Sequence, residues 1–369
     1  MSEAPRTIQC SVTEGFAQWM STANGTLIVS TYQAGKVVML GWNGRQVSIL
    51  TRDFAKPMGL AVSDDELAVA CQYETVLLAN ARMLAPHYPA ESVNRFDALF
   101  LPRATHITGD LSIHDLAYGD DGLWLVNTRF SCLCVLSRTF SVEPRWHPPF
   151  ISILTPEDRC HLNGLAMQHG RPRFVTTHGT SDEPGGWRAD RDRGGAIIDV
   201  PTGEPVSQHL CMPHSPRLAG GKAWVLNSGR GELCQFDPDS GQVTLVCAMQ
   251  GYVRGLCFVD HYALVGLSRI RSSHVFEGLP IEDRFDRLYC GVAVVDLDTG
   301  RESGMFEFTD GCEELYDVQF IPSLPRPSIL NPSSQATHRA ITAPDFSYWL
   351  QPKDGSEEKD HTRRGESKQ

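Results

Sequence analysis

Three histidines, His114, His161 and His214, stand near the start of successive short apolar runs, and Glu314 stands at the corresponding place in a later one. Each belongs to a pair of residues two apart: Lys56 and Met58, Ser112 and His114, His161 and Asn163, His214 and Pro216, Tyr252 and Arg254, Glu314 and Tyr316. Residues two apart on an extended strand point to the same side. If these runs are strands that converge on one axis, three imidazoles and a carboxylate share a cavity. That donor set suits a borderline divalent metal, iron or zinc, and leaves room for a water or a substrate. Such a centre acidifies bound water or, with iron, activates dioxygen. A single channel histidine is ordinarily a hydrogen-bonding lining residue, and thirteen histidines place some near any channel by chance. Three in successive segments are what favour the metal. The expected roles are ligation by His114, His161 and His214, with Glu314 as fourth ligand or general base beside Arg254 and Tyr316. Substrate contacts fall to Asn163, His178, Arg217, Tyr252, Arg269 and Arg271, the arginines as clamps for carboxylate or phosphate.

The elements that must position these residues are visible as a repeat. A small or polar residue, an apolar pair, a turn and a second apolar run recur as Met58-Gly59-Leu60-Ala61 to Leu67-Ala68-Val69-Ala70 and as His114-Asp115-Leu116-Ala117 to Leu123-Trp124-Leu125-Val126. Further copies begin at Asn163-Gly164-Leu165-Ala166, Pro216-Arg217-Leu218-Ala219 and Arg254-Gly255-Leu256. Turn signals such as Asp237-Pro238-Asp239-Ser240-Gly241 and Asp298-Thr299-Gly300 close later strands. Four short strands every 40 to 60 residues, roughly, read as propeller blades. The first block, from Thr26, lacks an inner strand, and the last, Glu314 to Phe320, is an inner strand with nothing after it. Pairing the two gives an all-β, six-bladed β-propeller closed by its N- and C-terminal segments.

Outside the repeat, Ser11 and Glu14 form a candidate capping box before Phe16, Trp19 and Met20, which predicts a short helix within residues 1–24 that covers one end of the propeller at 25–322. Residues 323–369, rich in Pro and Ser and then in charge, predict a disordered tail. Long connections at 84–109, 182–193 and 272–288 predict ordered lids over one face.

Composition narrows the function classes. The 369 residues carry a net charge of −11, which argues against nucleic acid or anionic lipid as a partner. No run approaches the ~18 apolar residues of a membrane span, and the first ten residues lack a signal-peptide layout. The eleven cysteines are odd in number and several sit inside apolar runs, which predicts reduced, buried thiols and a cytoplasmic location. Cys132 and Cys134 read as buried strand residues more readily than as a soft metal pair. No nucleophile elbow, phosphate loop, dinucleotide fingerprint or HExxH helix is present.

Longer motifs carry a resemblance. STYQAGK (30–36), HLNGLA (161–166), MPHSPR (212–217), VRGL (253–256), VGLS (265–268), FEGLP (276–280) and ELYDV (314–318) are similar to those of a bacterial propeller domain family. That family bears a conserved-hypothetical name and is often found with tetratricopeptide repeats. The resemblance spans about residues 11–325 and implies a propeller without implying a reaction. It includes His161, His214, Arg254 and Glu314 among its motif residues. The architecture is also similar to gluconolactonase-like metalloenzymes, whose carboxylate and amide ligands limit that likeness to the fold. The expectation is a metal-dependent oxygenase or hydrolase for a small polar or peptide substrate. A non-catalytic module gripping a peptide or small acidic ligand stands beside it, and a scaffold without a site is a third reading. Oligomeric state is left open.

Overall fold

Second strands such as Leu27-Ile28-Val29 and Leu67-Ala68-Val69 are apolar on both faces because each blade is sandwiched between two others. The computed structural model describes residues 8–270 and 278–351. In it, six antiparallel sheets form a ring. Blade one joins the chain ends: Asp317–Pro322 pairs with Gly25–Thr31, followed by Lys36–Trp42 and Val47–Asp53. Blades two to six start from inner strands Leu60–Val62, Ile113–Gly119, Leu162–Gln168, Pro213–Ala219 and Tyr252–Val259. Every seam between neighbouring blades holds its own apolar cluster, for example Val69, Val76 and Phe100 against Ile28, Val37 and Met39. The six-bladed, end-closed propeller expected from the repeat is the fold observed.

Three peripheral expectations change. The helix, Glu14–Thr22, is capped by Thr13, whose hydroxyl accepts from the Phe16 amide. Ser11 lies instead in a strand, Gln9–Val12, added to the outer edge of blade six. The helix buries Phe16, Trp19 and Met20 in the seam between blades six and one rather than over an end. The tail from 323 is ordered as far as 351: Pro327–Ile329 adds a parallel fifth strand to blade two, and a hairpin pairs Ala340–Ala343 with Phe346–Trp349. Its Leu330 and Ala340 pack against Ala81, Leu84, Leu99 and Leu101, apolar partners that composition alone conceals. The third long connection shrinks to 81–97, because Ala98–Ile107 is a strand. It links the third and fourth strands of its blade, so it leaves from the face opposite the histidines.

The inner strands are tied at the axis. Arg217 of blade five reaches Asp115 of blade three through Nη1 (2.7 Å) and Nη2 (3.2 Å) and lies 3.9 Å from Asp317 of blade one. Blades one, three and five are alternate members of the ring, so these side chains meet at its centre. The other three blades contribute backbone. The amides of Leu60 and Leu165 donate to Asp317 and Asp115, and Arg217 donates to the carbonyls of Leu165 and Leu256. Glycines in blades two and six give the backbone room. A Cβ on Gly59 would lie 3.0 Å from the Asp115 backbone, and one on Gly255 2.6 Å from the Val318 nitrogen.

Two outcomes follow. Arg217→Met leaves two buried carboxylates without their cation and should cost about 3–5 kcal/mol in urea denaturation; a loss below about 1 kcal/mol would show the tie to be dispensable. Burial, then the Asp115 charge, pushes the Asp317 carboxyl up to about 7. From an unfolded value near 4 to about 7 the folded chain therefore holds a proton that the unfolded chain releases, and stability falls as pH rises through that window. Asp317→Asn should flatten that slope in denaturation midpoints measured across it.

Candidate functional site

Cross-strand register aligns the three central blades. Ile113 pairs with Asn127, Leu162 with Thr177 and Pro213 with Asn227. The next inner-strand residue is then His114, Asn163 or His214, and the residue after the second strand is Thr128, His178 or Ser228. In each blade the two meet. Thr128 Oγ1 lies 2.7 Å from His114 Nδ1, Asn163 Nδ2 donates to His178 Nε2 at 3.1 Å, and Ser228 Oγ lies 2.9 Å from His214 Nδ1. The residue two places earlier is left-handed in all three: Ser112, His161 and Met212, with φ of 52°, 50° and 49°. That hook aims a carbonyl back at the ring. His114 Nδ1 donates to Ser112 O at 2.8 Å, and His214 Nδ1 to Met212 O at 2.9 Å. His161 thus occupies the hook itself, two residues before the position equivalent to His114 and His214, which Asn163 holds in blade four.

The rings form a continuous collar around the mouth. Centroid separations run 5.7 Å from Tyr32 to Tyr316, 5.2 Å to His114, 4.8 Å to His161, 4.4 Å to His178, 5.0 Å to His214 and 5.5 Å to Tyr252. Beneath them lies the axial tie, so the collar and the tie are the rim and floor of a cup around the axis. Trp187, from the insertion after His178, lies 4.4 Å from the His161 ring. Asp158 anchors both: it accepts from His161 Nδ1 at 2.9 Å, Trp187 Nε1 at 3.0 Å and Arg188 at 3.2 Å. Arg254 completes the wall. Its guanidinium lies 3.8 Å over Tyr316 and donates to Glu314 at 3.1 Å.

Burial favours the neutral form of three of the cup's imidazoles. Burial is the first cause that holds His114, His178 and His214 well below the usual histidine range, and neighbouring positive charge, Arg254 included, acts in the same direction. Burial likewise raises the phenols of Tyr252 and Tyr316. A neutral imidazole whose Nδ1 carries the proton presents a bare Nε2 lone pair. His214 Nε2 is buried with no hydrogen-bond partner among the described residues. As the rings stand, no group of three or more His, Cys, Asp or Glu side chains among the described residues is arranged to hold an ion.

Of the residues expected at the site, His114, His161, His214, His178, Asn163, Tyr252, Arg254, Glu314 and Tyr316 are brought together. Arg217 is spent in the axial tie and cannot clamp a substrate. Arg269 turns to the outer strand of its blade, where it donates to Phe308 O and faces Glu307. Arg271 lies outside the described residues, as does the stretch 271–277 of its insertion. Cys132 and Cys134 are fully buried strand residues, and all eleven cysteines are free. Asp158 was not foreseen, whereas Thr128 and Ser228, at the ends of second strands, and Trp187, in the 182–193 insertion, fall on the face expected to hold the site. Asp158 stands three residues before His161, a spacing that was visible. A separate cleft of about 690 Å³ between blades four and five, lined by His169, Arg173 and Lys222, opens on the opposite face and holds none of these residues.

Known proteins add the following. The family model described as "Domain of unknown function (DUF4915)" matches residues 14–330. No curated protein matches the sequence. A chain of the nidogen/laminin complex is 12% identical with a TM-score of 0.52, covering 81% of this chain and 98% of its own. A protein of unknown function from Bacteroides caccae is 10% identical with a TM-score of 0.50, covering 81% and 99%. These two likenesses reach the fold alone. No helix among the described residues is long and apolar enough to cross a membrane.

The shared anchor of His161 and the tryptophan gives a direct check. Asp158→Ala removes the acceptor of Trp187 Nε1 and should cost about 1–3 kcal/mol, with a shift in Trp187 fluorescence measured against a Trp187→Phe reference.

Proposed function

The chain belongs to the family described as a domain of unknown function (DUF4915), and for this member we propose a histidine-ligated iron or zinc centre in the cup, acting catalytically on a small polar or peptide substrate. One observation carries the reading. His114, His161 and His214 each give Nδ1–H to an oxygen acceptor, which leaves Nε2 as the nitrogen through which each ring could ligate. Metal-binding histidines are oriented in this way by carbonyls and carboxylates behind them. Spacing agrees. Rings bound to one ion at about 2.1 Å hold their centres roughly 4.5–5.3 Å apart, and the His114 and His161 rings stand 4.8 Å apart, while His178 lies between His161 and His214 at 4.4 and 5.0 Å. Turning the rings about their side-chain torsions is what ligation requires.

His114, His161 and His214 would hold the ion, and it would supply Lewis acidity toward water or, as iron, dioxygen chemistry. The chain's own groups do the rest. Asp158 fixes the His161 ring and its Nδ1 proton. Glu314 provides a carboxylate for proton transfer, with Arg254 beside it. Trp187 and the axial tie keep bulk water from the side and from below.

A second reading has its own support. The unconverged donors suit a cup that binds a peptide or small acidic ligand without metal or catalysis. Elemental mass spectrometry of untagged protein separates the two. The metal reading expects about one iron or zinc per chain, with His161→Ala and His214→Ala losing it while the unfolding transition remains cooperative. Retention of metal by both variants, or none bound after anaerobic reconstitution with iron and zinc, transfers the assignment to the binding module.

A further inference from the structure

Arg254 offers more hydrogen-bonding capacity than its protein partners use. The residue is only 8% exposed, and its Nη1 serves Glu314. Its Nε is buried and has no acceptor among the described residues. A buried guanidinium donor left unpaired costs free energy that an incoming acceptor recovers. The Arg254 guanidinium carbon lies 3.8 Å from the centre of the Tyr316 ring, a cation–π contact that helps hold the group in place. The Nε edge is the edge through which arginine grips a planar carboxylate with two parallel bonds. The same tyrosine ring lies 5.2 Å from the His114 ring, so an acceptor on that edge is a neighbour of the imidazoles.

We propose that the cup takes a small carboxylate ligand, its carboxylate seated on the Nε edge of Arg254 and the rest of the molecule directed over the collar of rings toward the histidines. The inference deepens the proposed function by naming the class of molecule, and it rests on the same cup. It does not require the ion, because the seat is made by Arg254 and Tyr316.

Its test uses the full chain stripped of metal with a chelator. Mono- and dicarboxylates of two to five carbons, and inorganic phosphate as a tetrahedral comparison, are titrated by calorimetry and by Trp187 fluorescence. Saturable binding of at least one carboxylate, tighter than phosphate, is expected. Arg254→Lys keeps the charge but loses the planar edge and should weaken binding about 10–100-fold. Arg254→Gln with Glu314→Gln removes both charges of the pair, so that neither is left alone if the single variant fails to fold; it too should lose binding. No carboxylate binding by folded protein, a preference for phosphate, or binding unchanged in the Arg254 variants overturns the proposal. Metal content separates the two ideas. Stoichiometric metal without a carboxylate site leaves the metal reading standing alone, and carboxylate binding by protein that takes up no metal leaves this one.

Discussion

One largely buried arginine holds the propeller's centre. Arg217 bonds directly to Asp115 and to backbone carbonyls of blades four and six, and faces Asp317. The two aspartates in turn accept amides from blades two and four. All six inner strands are thereby joined within one small volume. The arrangement matches one cation to two carboxylates, and the raised Asp317 carboxyl is how the imbalance is relieved without a second cation. What matters for the site is the geometry this imposes. The tie sets the spacing of the inner strands, and with it the distances between rings mounted just above.

Those rings are then aimed by short local devices. In three adjacent blades, the residue after the second strand meets the inner-strand residue opposite, and a left-handed residue bends the backbone just before it. Where the inner residue is histidine, the bend supplies a carbonyl for Nδ1. Blade four varies the theme: asparagine takes the inner position, histidine follows the second strand, and a second histidine sits on the bend. The result is four imidazoles from three blades, the fourth being His178, expected as a substrate contact and found stacked against His161.

The fold was legible because its cause is repetitive. Apolar runs of strand length, punctuated by turns, recur often enough to count, and the unpaired first and last blocks reveal their own closure. The histidines were legible for the same reason. Their pairings were less so: Thr128 and Ser228 could be placed at the ends of second strands and Trp187 in an insertion on the same face, but which ring each meets depends on cross-strand register. Arg217 was misread as a clamp because an isolated arginine looks the same facing solvent or two aspartates. The clue was in the ring as a whole. Gly59, Asp115, Gly164, Arg217, Gly255 and Asp317 precede their apolar strand residues in strict alternation of glycine and charge. The tail misled through composition, its few apolar residues being enough once Leu99 and Leu101 wait for them.

The way the chain fastens itself has a consequence for how the cup comes into being. Ser30 and Asp317 touch across 287 positions of sequence, and the segments beyond them do not stop at the join: Gln9–Val12 reaches back to blade six and Pro327–Ile329 onward to blade two. The ends overlap like the tongues of a clasp, each gripping the sheet on the far side of the closure. Such long-range pairing forms late in folding, after the cost of bringing distant segments together has been met. Until then Asp317 is apart from Arg217, and Tyr316 and Glu314 are apart from the histidines. A nascent chain that has made five blades therefore carries the imidazoles without their opposite wall. The site matures in a single event, the fastening of the ring, and a chain that fails to fasten lacks the completed cup.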